Sequence, residues 1–177
     1  GKICNRSLYR DAYLEAVTLD TINYFGLGVH ITNLSYGSVR AASPTYREIV
    51  DFAFRNQVVQ VAARGNNNNT ANFVPSSIRD EYILSVGASK TDGEKSPFSS
   101  YGREMDVIAP GVLAMIQTTD TTVNGQAQYI SFNGTSAAAP HVAGVAALML
   151  SRINPLIGYD DLSPEDVEHM LQWTATD

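Results

Sequence analysis

Short β-branched segments take turns with helix-patterned ones along this chain, and that order constrains the fold more than any other feature. Strands that alternate with helices point to a parallel sheet, because parallel neighbours need a crossover long enough to hold a helix. Ser7 to Phe25 reads as a helix, with Leu8, Ala12, Ala16 and Leu19 on one stripe. Gly26 and Gly28 end it, and Val29 to Leu34 reads as a strand. Ser43-Pro44 opens a second helix, a hydroxyl cap followed by a first-turn proline. That helix carries Ile49, Val50 and Ala53 and stops near Asn56; Val58 to Ala63 is the next strand. Together they make a strand–helix–strand crossover. Tyr82 to Ala88, Met105 to Ile108 and Leu113 to Ile116 read as further strands, with Pro110-Gly111 as a turn. Ser136 to Ser151 is a strongly apolar helix. Ser163-Pro164-Glu165-Asp166 opens a last helix, acidic at the positive end of its dipole, that buries Val167, Met170 and Leu171. The expected fold class is α/β, a mostly parallel sheet with helices on both faces in three layers.

Length and composition fit one globular domain: 177 residues, 44% hydrophobic and 17% charged. The formal charge of −6 and the absence of any Lys/Arg cluster argue against nucleic acid as the main partner. A single cysteine, Cys4, cannot form an internal disulfide and reads as a small apolar filler. No Cys/His spacing suggests zinc. The longest apolar stretch, Ala137 to Leu150, contains Pro140 and His141 and is too short to span a bilayer. Gly1 to Arg6 do not lead into the apolar region of a signal peptide, and the chain opens as an internal fragment would.

In open parallel sheets, ligands sit beyond the carboxyl ends of the strands. Two strands here run into Ser35-Tyr36-Gly37 and Gly65-Asn66, so those loops are expected to line a cleft. The strongest chemical signal is the run Asn133-Gly134-Thr135-Ser136-Ala137-Ala138-Ala139-Pro140-His141-Val142-Ala143-Gly144. It puts a serine where a glycine turn enters a buried helix, and free N–H groups at such a tip favour developing negative charge. Pro140 is expected to be harmless, its missing N–H falling in the first turn. An isolated Gly-Thr-Ser is most simply a helix cap.

The full run, however, closely resembles the nucleophile motif of the subtilisin-like serine proteases. Val58 to Asn66, Ile31 to Ser38, Phe98 to Gly102 and Asp106 to Gly111 match that family in the same order. The likeness extends from about Tyr13 to His169. It implies that residues 1–177 are the carboxyl-terminal portion of a subtilisin-like peptidase domain, incomplete on its amino-terminal side. It implies that Ser136 is the nucleophile and that Asn66 donates to the oxyanion together with the Ser136 N–H. Ser35, Tyr36 and Gly37 would bind an extended peptide through their backbone. Ala63, Arg64 and Gly65 would form the facing wall of the pocket for the residue before the cut, with Thr135 also contacting substrate. Arg64 departs from the small residue usual there; it either points away from the pocket or favours acidic substrates.

A nucleophilic serine needs a base, and the base needs an orienting carboxylate. The family's Asp-Thr/Ser-Gly and His-Gly-Thr motifs are both absent. Of the three histidines, His141 is expected to be a buried structural residue, His30 lies in a predicted strand, and His169 faces solvent on the last helix. Asp20, His30 and Ser136 stand in the family's triad order, but order alone carries little and that triad is rejected. The reading is therefore a serine endopeptidase acting on peptide or protein substrates when complemented by its amino-terminal catalytic segment or an oligomeric partner. The isolated chain is expected to be inactive. The alternative is a pseudoprotease that binds peptides or regulates. No organic cofactor is required, structural calcium is left open, no metal ligands are assigned, and secretion is a family expectation. No Gly-x-Ser-x-Gly elbow surrounds Ser136 and no Gly-x-Gly-x-x-Gly follows a predicted strand, which removes two other enzyme classes.

Overall fold

The computed structural model describes residues 29–78, 82–112, 117–123, 126–152 and 162–176, with backbone alone for 117–123 and 126–130. The helix expected from Ser7 to Phe25, the strand expected from Leu113 to Ile116, and Cys4 and Asp20 lie outside the described residues. The central sheet holds β1 (Ile31–Leu34), β3 (Val59–Ala63), β5 (Leu84–Ser89) and β6 (Val107–Pro110), all parallel and in that spatial order. β2 (Ser38–Val39) pairs antiparallel with β4 (Phe73–Val74), and β7 (Gln117–Val123) with β8 (Gln126–Ser131). The helices are α1 (Pro44–Arg55), α2 (Thr135–Ser151) and α3 (Pro164–Thr174).

Every residue of β3 is buried, as a strand covered on both faces must be. Its side chains alternate. Val59, Val61 and Ala63 pack with Ala138, Ala139, Val142 and Ala146 of α2 and Val167 of α3. Val58 and Ala62 pack on Ile49, Val50 and Ala53 of α1. The helices therefore cover opposite faces, and the three-layer α/β expectation holds. Gln60 sits among the α1-facing residues, and its Nε2 donates to Val50 O and Tyr82 O, both at 3.0 Å. A buried amide is tolerated there because both protons are used.

Ser43 caps α1 as expected, its Oγ accepting from Tyr46 N, and Asn56 closes the helix. Three expectations change. Pro110 is the last residue of β6 rather than part of a turn. It sits opposite Ser89 on the outermost strand of the described sheet, a position that tolerates the missing N–H. Met170 is 42% exposed; α3 buries Pro164, Val167 and Glu168, with Leu171 packed at the core's edge. The β7–β8 hairpin is an addition to the expected elements; its sequence signal is Asn124-Gly125 between two threonine- and glutamine-rich runs, which carry little apolar alternation.

α3 opens with a complete capping box. Asp166 N donates to Ser163 Oγ at 3.1 Å, while Ser163 N and Oγ donate to Asp166 Oδ2 at 3.0 and 2.6 Å. The Ser163 hydroxyl, followed by its backbone N–H, holds the Asp166 carboxyl below its ordinary pKa. A carboxylate with a depressed native pKa contributes stability above its unfolded pKa, and that contribution fades as pH falls through the native value. Ser163→Ala should cost about 1 kcal/mol at pH 7. Urea unfolding at pH 7 and pH 3 should show the gap from the unsubstituted chain narrowing at the lower pH; an equal gap at both would contradict the assignment.

Candidate active site

Because β1 and β3 are parallel neighbours, the segments that follow them emerge at the same edge of the sheet. The amino-terminal tip of α2 arrives there too. Gly134 caps the helix with φ +138°, a conformation that disfavours side chains, and its N–H donates to Gly111 O at 2.9 Å. Gly111 has no room for a side chain, since a Cβ there would lie 2.5 Å from Ala88 Cβ and 2.9 Å from Gly134 O.

The helix tip and the end of β3 are tied through one carboxamide. Asn66 Oδ1 accepts from Thr135 N at 2.9 Å and from Thr135 Oγ1 at 3.1 Å. Thr135 Oγ1 in turn accepts from Gly65 N at 3.1 Å. Two donors on Oδ1 fix which end of the amide is oxygen. Asn66 Nδ2 is left beside Gly134 with no hydrogen bond among the described residues, and Asn66 itself is exposed. Ser136, one residue beyond Thr135, is half-buried at the same tip. The nucleophile candidate and the oxyanion candidate are thus together. Thr135 emerges as the residue that aims Asn66, a role its sequence position alone did not reveal.

Pro140 behaves differently from the expectation. It is the sixth residue of α2, beyond the first turn, so its missing N–H leaves the carbonyl of Ser136 without its helical donor. The hydroxyl of Ser35 takes that place, donating to Ser136 O at 2.9 Å. Ser136 Oγ answers by donating to Ser35 O, also at 2.9 Å. The proline therefore opens a socket through which the loop after β1 grips the serine. Tyr36 is 39% exposed beside it, and burial of its hydroxyl pushes the phenol well above its ordinary pKa, so it stays neutral.

The expected pocket wall narrows. Ala63 faces the core under α2, and the Arg64 side chain is fully buried. Arg64 Nη1 donates to Ala71 O and Ser77 Oγ at 3.0 Å, and Nη2 to Tyr101 O and Glu104 Oε2 at 3.1 Å. Neither side chain can touch a substrate, and an acidic-substrate role for Arg64 has no geometric basis. Gly65, at φ +103°, is also buried, its α-carbon lying against the Phe73 ring.

None of the histidines reaches Ser136 as a base. His30 precedes β1 while Ser35 follows it, a separation of about 16 Å along an extended strand. It lies instead near Ala147, Leu150 and Ser151, at the far end of α2. His141 is exposed rather than buried, and its Nδ1 contacts Ala137 O at 2.8 Å within its own helix. His169 is exposed and stacks on Trp173. Among the described residues no three His, Cys, Asp or Glu side chains gather to hold a metal ion, and no helix is long and apolar enough to cross a membrane.

Burial pulls the Arg64 pKa below the ordinary arginine value, and Glu104 opposes that. Truncating one partner of such a pair strands the other groups, at a cost of about 3–5 kcal/mol. Arg64→Ala should therefore destabilise the chain by about that amount, and Glu104→Gln, which keeps an acceptor at a part-exposed site, by clearly less. Urea denaturation reads both; equal small losses would mean the guanidinium cluster contributes little.

Residues 5–177 match the model of the Subtilase family. The chain is 36% identical over 151 residues to subtilisin DY of Bacillus licheniformis, covering 84% of this chain and 50% of that protein. It is 43% identical over 128 residues to alkaline elastase YaB of a Bacillus species, covering 72% of this chain and 31% of that protein. Among solved structures, proteases from Pseudoalteromonas arctica superpose with a TM-score of 0.79 at 28% identity, over 97% of this chain and 52% of that one. The chain spans half or less of the length of these curated relatives. A family match over nearly the whole sequence, on the sheet, helix tip and asparagine described above, makes this chain a member of the subtilase family.

Proposed function

We propose that this chain is the nucleophile-bearing part of a serine endopeptidase domain, which cleaves peptide bonds through an acyl-enzyme. The observation that supports the reading is the joint at the tip of α2, where Thr135 holds Asn66 Oδ1 and leaves Nδ2 beside Gly134, two residues before Ser136. In this reading a peptide lies extended along Ser35-Tyr36-Gly37, adding itself as a strand to their backbone. Ser136 Oγ leaves Ser35 O and attacks the carbonyl. The Ser136 N–H and Asn66 Nδ2 hold the oxyanion, helped by the α2 dipole.

The proton from Ser136 needs a histidine, which later returns it to the leaving amine. The sequence has three, none of them hydrogen-bonded to the serine; in this reading an amino-terminal catalytic segment or an oligomeric partner supplies the base and its orienting carboxylate. β1, outermost in the described sheet, with Ile31, Ala147 and Leu150 lining a cleft beside it, offers that segment an apolar seat. Secretion and structural calcium are carried over from the family. The absence of a histidine within reach of Ser136 is the one observation that favours a non-catalytic, peptide-binding role instead.

A fluorophosphonate probe separates the two. Ser136 should stay unlabelled in this chain by itself and become labelled when a segment bearing the aspartate and histidine is joined to it, with Ser136→Ala abolishing the label. No label in either setting would leave the non-catalytic role. In the active form, Asn66→Ala should lower kcat about 10²–10³-fold with KM little changed, the magnitude known for subtilisin's own oxyanion asparagine. A loss confined to KM would remove Asn66 from the oxyanion site.

A further inference from the structure

Two glycines face each other across the cleft, and one aromatic ring occupies the space between them. Gly37 follows β1 and Gly65 follows β3. A Cβ placed on Gly37 would overlap the Phe73 ring, with Cδ1 at 2.8 Å, and would also meet Val74 O at 2.7 Å. A Cβ placed on Gly65 would meet the opposite edge of the same ring, with Cδ2 at 2.9 Å and Cε2 at 3.1 Å. One edge of the phenyl therefore lies on each glycine, and the ring bridges the gap between the two segments assigned to substrate.

The ring is fixed in place. β4 pairs Phe73 with Val39 and Val74 with Ser38, which ties its strand to the segment after Gly37. Phe73 N donates to Ser77 Oγ at 3.0 Å, and Phe73 O accepts from Ser76 Oγ at 2.8 Å and Ser77 N at 3.0 Å. Ser77 Oγ is itself held by Arg64 Nη1 at 3.0 Å. The buried guanidinium thus anchors the turn that carries the ring, and both ends of the phenylalanine backbone are pinned. These bonds hold the backbone of the turn, and the ring itself is confined by its packing between Gly37 and Gly65.

We propose that Phe73 fills the pocket for the residue preceding the cleaved bond and restricts that residue to glycine, alanine or serine. This rests on the peptidase reading above, whose cleft it refines. A close-packed site with an aromatic ring already seated has no room for a second ring or a long aliphatic chain. Discrimination by pocket volume runs from about tenfold to about two-hundredfold. Neither Gly37 nor Gly65 can carry a larger side chain while the ring is there, so Phe73 sets the depth of the pocket.

The test uses the natural polypeptide containing this chain and the p-nitroanilides of Ala-Ala-Pro-X, with X alanine, leucine or phenylalanine. The alanine substrate should give a kcat/KM at least about tenfold above the phenylalanine substrate, and Phe73→Ala should reverse the order. A preference of the unsubstituted protein for phenylalanine or leucine overturns the proposal, and that series decides the matter even if Phe73→Ala does not fold. Binding of the free acids Ala-Ala-Pro-Ala and Ala-Ala-Pro-Phe, followed by calorimetry, separates this idea from the peptidase reading. A protein that hydrolyses nothing but binds the alanine peptide about tenfold more tightly loses the peptidase reading and keeps the pocket. Equal or reversed affinities, or binding of neither peptide, overturn the pocket.

Discussion

The carboxamide of Asn66 is the joint on which this molecule turns. Its oxygen accepts both the N–H and the hydroxyl of Thr135, and the same hydroxyl accepts the N–H of Gly65. Three residues thereby lock the end of a buried strand to the buried tip of a helix. Because both bonds use the oxygen, the amide nitrogen is directed by default rather than by a contact of its own. A donor aimed in advance needs no reorganisation when charge develops beside it, which is where electrostatic catalysis gains its strength.

A second tie comes from a proline that costs the helix a hydrogen bond. Pro140 leaves Ser136 O unfilled, and Ser35 fills it. The helix thus exchanges an internal bond for one to the loop after β1. The exchange brings the serine and the loop after β1 into one unit, with Ser136 Oγ and Ser35 O completing a reciprocal pair. A helix with an intact ladder would leave that loop held only by its own strand.

Arg64 links this centre to the periphery. An isolated buried charge is expensive, and here four hydrogen bonds, one of them to the Glu104 carboxylate, offset the cost. Its acceptors lie in two separate loops, at Ala71 and Ser77 on one side and at Tyr101 and Glu104 on the other. One side chain therefore braces both, from the residue just before Gly65 and Asn66. Arg64 matters to the cleft by holding up its wall and the Phe73 turn, not by meeting a ligand.

The fold class, the four parallel strands and three helices among the described residues, the caps at Ser43 and Ser163, and the nearness of Asn66 to the tip that carries Ser136 were legible in the sequence. Each rests on local chemistry or on a long run of specific residues: side-chain period, proline and serine at helix starts, a serine entering an apolar helix. The hairpin from Gln117 to Ser131 is marked in the sequence by its Asn124-Gly125 turn rather than by any apolar period, since its strands are mostly polar. The direction of Arg64, the exposure of His141 and Met170, the consequence of Pro140, and the seat of Phe73 were decided only in three dimensions. Each depends on which distant group comes alongside: Glu104 for the arginine, Ser35 for the orphaned carbonyl, Gly37 and Gly65 for the ring. Sequence spacing encodes the period of an element, but the partner across a gap is chosen by packing, and packing is a property of the whole fold.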